Sequence, residues 1–349
     1  MQSDRQERIQ NQNRIQWLDV LKCLTMLLVV VGHASKGDTP DTYRYYIYSF
    51  HMPLFFIISG MTFYLQCQKR EFTFETLVKN KAKGLVWPYF ALSFLTIPFW
   101  FINYRVLGYR KQSIGELIYA IFYSHQHHVL SPSNAMWFCV TLFLTILVFW
   151  LINKWSCENE IKLILAVATI GIFGYWLSFV KVGIYLPWHI DTVTIALIFV
   201  LMGWLLIKYI KPFLSMIGNK HRQLIWLTCA FVIGFLCARY NVKISMALNH
   251  YGNFILLLGG VIGFGLVCII ISMNLPSLKF FKFMGRNTIV ILAFHSPAYR
   301  FLERISTETA WMLDAHPVIM GIGVFMAMAP ICYIFEKWLP WVIGRKKKM

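Results

Sequence analysis

"LDVLKCLTMLLVVVGH", Leu18 to His33, decides how the rest of the chain is read. From Cys23 to Val31 it is apolar except for Thr25, as a segment crossing hydrocarbon must be, because lipid satisfies no polar group. Asp19, Lys22 and His33 interrupt it. The surroundings decide between a spoiled soluble helix and a membrane helix with a polar face. The chain has 349 residues, 58% hydrophobic and 14% charged, against about 25% charged in soluble domains. Ten apolar stretches approach the ~20 residues that a helical crossing needs. They are 17–34, 50–66, 84–103, 136–153, 161–180, 192–208, 222–239, 253–273, 286–302 and 317–339, the ninth being the least apolar. Their lengths exclude a barrel, whose strands need only ~10 alternating residues. The fold class expected is an all-α membrane bundle of about ten helices.

A net charge of +18 would suggest a nucleic-acid partner in a soluble protein. Its distribution points elsewhere. With the N-terminus cytoplasmic, the cytoplasmic segments collect 22 of the 33 Lys and Arg residues, the outer ones hold ten, and Lys22 lies inside the first helix. This is the positive-inside pattern, and it puts both termini in the cytoplasm with no nucleic acid as partner. The division expected is a cytoplasmic segment 1–16, one membrane domain 17–340 and a basic tail 341–349. The first helix reads as an anchor rather than a cleaved signal, since residues 1–16 are polar and no convincing cleavage pattern follows. The eight cysteines contain no CxxC pair, so neither disulfides nor zinc are expected.

The longest connection, 104–135, contains "SIGELIYAIFYSH" (Ser113 to His125), with apolar residues at the spacing of an amphipathic helix. It reads as an interfacial helix or a lid. "HQHH" (His125 to His128) has metal-like composition but no i, i+4 pairing with a carboxylate, so no metal is assigned there. Asp191, after "PWH", reads as a helix N-cap. No internal repeat is visible, and the "RKKK" tail (Arg345 to Lys348) reads as an orientation signal.

Lys22 and His33 are eleven residues apart, which is three helical turns to within about 20° and about 16.5 Å of rise, so they share a face. Asp19, one turn below Lys22, joins them. A charge near the bilayer centre costs at least ~2.5 kcal/mol and ordinarily faces a cavity, which makes the stripe a functional-site candidate. The plainer reading is an Asp19–Lys22 pair with Lys22 snorkelling to the headgroups and His33 at the interface.

The segment "RIQWLDVLKCLTMLLVVVGH" resembles the start of the membrane acyltransferase family 3, marked by a basic residue, ten intervening residues and a histidine. Lys22 stands where that family usually has arginine, and lysine keeps the charge without the planar fork. "FHMPLFFIISGM" (Phe50 to Met61), "KNKAKGLVWPYF" (Lys79 to Phe90), "MWFCVTLF" (Met136 to Phe143) and "MGRNTIVILAFH" (Met284 to His295) are similar, in order, to later segments of the family. The nearest likeness is to the stand-alone sugar O-acetyltransferases, such as fucose 4-O-acetylases.

That resemblance implies acyl transfer, usually of acetyl, from cytoplasmic acetyl-CoA to a hydroxyl of a cell-surface glycan or glycolipid. It also implies a multi-pass protein of a bacterial inner or plasma membrane, with membrane lipids as neighbours and self-association left open. Lys81, Lys83 and Arg286, with Asp19 and Lys22 deeper, form the expected cytoplasmic end for the CoA phosphates. His33 is assigned as general base, with an acyl-histidine relay as its other possible role. His51, Ser59, Trp137, Asn287 and His295 are grouped as acceptor-side residues. Ser59 with Gly60 also fits close helix packing. Trp137 and Tyr43, Tyr45, Tyr46 and Tyr48 fit either sugar stacking or the aromatic belt of a membrane interface. A transporter or flippase for a glycolipid or small solute is the competing class, although matched broken helices are missing from the sequence.

Overall fold

The computed structural model describes residues 16–34, 41–102, 113–124, 134–180, 186–276, 278–305 and 315–346. "HQHH" lies outside them. The first crossing is α1 (Gln16–Ala34), and the return begins with the short α2 (Tyr43–Tyr48) and continues as α3 (His51–Cys67). The third starts earlier than 84. Thr73 Oγ1 accepts from the Thr76 amide and caps α4 (Phe74–Lys81), so Lys79 and Lys81 are helical rather than part of a loop. A widened turn at Ala82–Val86 then leads into α5 (Trp87–Leu95) and α6 (Ile97–Phe101), where Pro88 and Pro98 lack the amide that an ordinary helical ladder uses.

The expected amphipathic segment forms α7 (Ile114–Tyr123). Ser113 accepts from the Glu116 amide while Glu116 accepts from the Ser113 amide, a reciprocal cap. Trp188 Nε1 donates to the Phe122 carbonyl at 2.9 Å, and Tyr89 Oη to the Ile121 carbonyl at 2.5 Å, which dock the C-terminal end of this helix on the bundle.

The remaining elements are α8 (Trp137–Trp155), α9 (Glu160–Val180), α10 (Ile190–Lys208), α11 (Ile210–Ile217), α12 (Lys220–Tyr240), α13 (Phe254–Asn274), α14 (Lys279–Arg286), α15 (Thr288–Ile305) and α16 (Pro317–Lys337). The N-cap position of α10 is His189, with a left-handed φ of 52°, so Asp191 is not the cap. It sits in the first turn, buried, with its Oδ1 accepting from the Thr192 amide.

Nine helices among the described residues are long and apolar enough to cross a membrane. The expected ninth stretch is present as α15, whose sequence carries Arg300, Glu303 and Arg304 near its end and therefore falls short of the other nine in apolarity. It still runs the length of the bundle. It starts beside Asn287, which holds Glu336 and Arg345, and passes Tyr299, whose hydroxyl donates to the Val30 carbonyl near the far end of α1 at 2.8 Å. With α15 as the tenth crossing, the first and last described segments meet on one face, where Lys282 donates to Gln16 and Arg345 to Asn287. This is a multi-pass membrane protein.

Helix α1 is the hub, touching α2, α3, α13, α14, α15 and α16. The lipid side is formed by α9 and α12, whose apolar windows are only 22% and 17% buried. Hydrocarbon gives no hydrophobic drive between helices, so small residues let backbones approach. A Cβ on Gly60 of α3 would lie 2.1 Å from the Val200 carbonyl oxygen of α10, and one on Gly203 would lie 1.9 Å from that of Ile57. Both obstacles are backbone and cannot rotate away. Gly60→Leu is therefore expected to cost ~3 kcal/mol or more, at or above the upper end for overpacking. A fall in detergent melting temperature by fluorescence-detected gel filtration checks this, and an unchanged melting temperature would contradict the crossing.

On the outer face, Asn241 organises the connection 241–253. Its Oδ1 accepts from the amides of Val242 and Asn253, both at 2.9 Å, and its carbonyl accepts from Tyr45 of α2. Thr192 Oγ1 donates to the Met246 carbonyl at 3.0 Å. Burial, together with the Asp191 charge, raises the Tyr251 pKa, so the phenol stays protonated and donates to Asn249 Oδ1 at 2.7 Å. These bonds fix Ile244 to Ala247 as one wall of the cavity described next.

Candidate functional site

Two cavities lie in tandem along one face of α1. The inner one, about 140 Å³, is lined by Lys22 and Met26 of α1 together with Phe55, Ser59, Phe138 and Ile289, among others. The outer one, about 220 Å³, is lined by Val29 and His33 of the same helix. The lining positions 22, 26, 29 and 33 follow the 4-3-4 spacing that keeps side chains on one helix face. Met52 and Leu292 line both cavities and form the partition between them. The sequence placed Lys22 and His33 on a shared face; the neighbouring helices make that face a wall of two cavities.

His33 is half-buried and opens on the outer cavity. Its ring stacks on Tyr48 at 5.9 Å and meets the edge of His295 at 5.0 Å, while His51 lies 4.9 Å from Tyr48. His51 and His295 are held in the same way. Nδ1 of His51 is 2.8 Å from the Ile47 carbonyl, and Nδ1 of His295 is 2.9 Å from that of Ile291. A carbonyl only accepts, so Nδ1 carries the proton in each, and the neutral ring has its lone pair on Nε2. His51 lines the outer cavity. His295 is fully buried behind His33, outside the lining, and its Nε2 has no hydrogen-bond partner among the described residues. Of the two expected acceptor-side histidines, therefore, one faces the cavity and the other backs the His33 ring.

Trp137, at the start of α8, lines the outer cavity with its ring 4.9 Å from His189. Of the tyrosines, Tyr48 joins the cavity wall, whereas Tyr45 and Tyr46 pair with each other and Tyr46 stacks on Phe235. Ser59 lines the inner cavity and donates to the Phe55 carbonyl at 2.8 Å, one turn back on its own helix.

The expected cytoplasmic cluster is assembled only in part. Asp19 is 3% exposed, and its carbonyl is crossed at Gly285 of α14, where a Cβ would lie 2.1 Å away. That crossing brings Arg286 next to the base of α1, where it is within 3.9 Å of Glu336. Lys81 donates to Gln66 Oε1 at 2.8 Å, lies over the Phe63 ring at 4.8 Å and is within electrostatic reach of Lys22. Lys83 is exposed, its carbonyl packed against Gly344 of the tail. Asn287 lines neither cavity. Its Nδ2 donates to the Phe283 carbonyl and to Glu336, and its Oδ1 accepts from Arg345 at 2.9 Å, so it ties the tail to the base of α15 on the cytoplasmic side. The structure thus places Asn287, expected among the acceptor-side residues, at the start of α15 and outside the lining of the His33 cavity.

Three residues that the sequence left in the background, Arg44, Lys243 and Arg300, belong to the outer site. Arg44 and Arg300 line it beside Tyr48, and the Lys243 ammonium comes within 5.2 Å of the Tyr48 centroid. Their only signal in the sequence is membership in the outer minority of Lys and Arg residues. Helix α7, by contrast, contributes no residue to either cavity among the described residues, so the lid reading does not apply to the outer cavity as it stands. No group of three or more potential metal ligands occurs among the described residues.

Residues 15–337 match the model of acyltransferase family 3, described as an acyltransferase domain. Neither the curated proteins nor the solved structures compared with the chain give a match.

Proposed function

The chain belongs to acyltransferase family 3, and from that premise we propose that it moves an acetyl group from cytoplasmic acetyl-CoA to a hydroxyl of a glycan or lipid-linked sugar on the outer side. The observation that carries this reading is the tandem pair of cavities on one face of α1, with a cation in the inner one and an imidazole in the outer. The rise of about 16.5 Å between Lys22 and His33 is of the order of an extended pantetheine arm. The Met- and Phe-rich inner lining suits that largely apolar arm, and Lys22, Lys81, Lys83 and Arg286 suit the phosphates at its other end.

A sugar hydroxyl is a weak nucleophile at neutral pH and needs a positioned base to take its proton. His33 fills that role. The hydroxyl oxygen attacks the thioester carbonyl carbon while His33 takes the hydroxyl proton. The C–S bond then breaks, and the proton passes to the departing CoA thiolate, leaving the sugar ester and free CoA. His51, presenting a lone pair to the cavity, accepts a hydrogen bond from a neighbouring sugar hydroxyl. Trp137, whose indole N–H is only a donor, suits the oxyanion that forms at the carbonyl. His295 holds the His33 ring from behind.

Purified protein supplied with labelled acetyl-CoA tests the reading through thioester loss or transfer that depends on His33. A separate expectation concerns the donor end. Lys22→Ala is expected to weaken acetyl-CoA binding about tenfold, the scale of one lost charge-assisted contact, with Lys22→Arg keeping most of the affinity. Equilibrium binding of labelled acetyl-CoA measures both. An unchanged affinity in Lys22→Ala would assign that lysine to snorkelling.

A further inference from the structure

The outer cavity gathers positive charge from three separate parts of the chain. Arg44 comes from α2, Arg300 from α15 and Lys243 from the connection that follows α12. The Arg44 guanidinium lies over the Tyr48 ring at 4.8 Å and donates to its hydroxyl at 3.3 Å, and the Lys243 ammonium reaches the same ring at 5.2 Å. That ring also stacks on His33. Arg300 lies on the same α15 wall as Ser296 and Leu292, one turn beyond Ser296.

An anion entering the cavity is attracted by all three cations at once, and low-dielectric walls strengthen that attraction. Acyl transfer to a neutral sugar hydroxyl calls for a base and an oxyanion donor, the roles given above to His33 and Trp137. The three cations exceed that need. Arg44 and Lys243 flank the ring packed on His33, and Arg300 lines the same cavity.

We propose that the acceptor is an anionic glycan: the sugar that receives the acyl group, or its immediate neighbour, carries a carboxylate or a phosphate, which Arg44, Lys243 and Arg300 hold while the hydroxyl faces His33. This rests on the acyl-transfer reading above. It adds the chemical class of the acceptor, since paired guanidinium groups recognise carboxylate and phosphate alike.

The test compares cell-surface glycans, by mass spectrometry, from cells carrying the wild-type protein or His33→Ala. An acyl group that disappears from a repeat unit bearing a carboxylate or phosphate supports the proposal, and the fragment masses tell the two anions apart. An acyl group that disappears from a unit bearing neither overturns the anionic acceptor and leaves acyl transfer standing. No difference between the two cell types overturns the acyl-transfer reading, and the acceptor class falls with it. The glycan so identified is then titrated against purified protein. Arg300→Gln is expected to raise its KM about tenfold and to flatten its dependence on salt, with Arg300→Lys recovering most of the loss. A KM within about twofold of wild type, with unchanged salt dependence, overturns the assignment.

Discussion

His33→Ala is expected to lower acyl transfer by about a hundredfold to ten-thousandfold, the contribution of a positioned general base. The loss should fall on kcat, because the base acts on a proton that moves only in the transition state. His33 has the position for this. It opens on the outer cavity, and Tyr48 and His295 fix its ring from two sides. The half-buried ring leaves little void when removed, so the variant should elute from gel filtration as wild type does. Single-turnover assays with labelled acetyl-CoA measure the effect and also separate the two roles of the histidine. A protein-bound acetyl group that forms before acceptor is added marks the relay, whereas label that moves only when acceptor is present marks the general base. A His33→Ala protein turning over at the wild-type rate would remove His33 from the chemistry altogether.

The second large effect is expected at the partition. Met52 and Leu292 are the residues common to both cavities, so whatever passes from the Lys22 end to the His33 end passes them. Methionine is unbranched and adaptable, and it can move aside for a slender arm. Met52→Trp substitutes a wide, stiff ring. Transfer is expected to fall by about a hundredfold or more, since a misplaced reacting group loses the advantage of proximity. Binding of acetyl-CoA, by contrast, should hold within about threefold, because the proposed phosphate contacts at Lys81, Lys83 and Arg286 lie beyond the inner cavity and away from Met52. Overpacking costs ~1–3 kcal/mol, so a melting measurement must accompany the assay. Met52→Ala is the complementary variant and should admit longer acyl chains such as butyryl. If Met52→Trp transfers at the wild-type rate, the acyl group takes another path.

How much of this was legible in the sequence follows from the forces involved. Lipid demands runs of about twenty apolar residues, so the crossings were readable one by one. The shared face of Lys22 and His33 was readable too, because helical geometry alone sets it. The place of Asn287 outside both cavities was not legible, for a specific reason. A motif places it close to His295 in sequence, but the start of a helix and its middle lie at different membrane depths, and Asn287 is bound to Glu336 and Arg345 at the cytoplasmic face. The tail residue Arg345 read as an orientation signal, yet it clamps Asn287 and the Arg286 carbonyl. Arg44, Lys243 and Arg300 lie far apart along the chain, and nothing local marks them as neighbours.

The sequence by itself determined that the chain crosses a membrane many times and that one face of the first helix is polar. Apolar length, charge bias and the 3.6-residue period are local quantities, and they survive without knowledge of any neighbour. Only the tertiary structure decided that this face lines two cavities with Met52 and Leu292 between them, that His295 backs His33, and that three distant cations gather at the outer end. Those features depend on how closely helices approach. The approach is set by contacts such as Gly60 against Val200 and Gly285 against Asp19, which exist only once the bundle has packed.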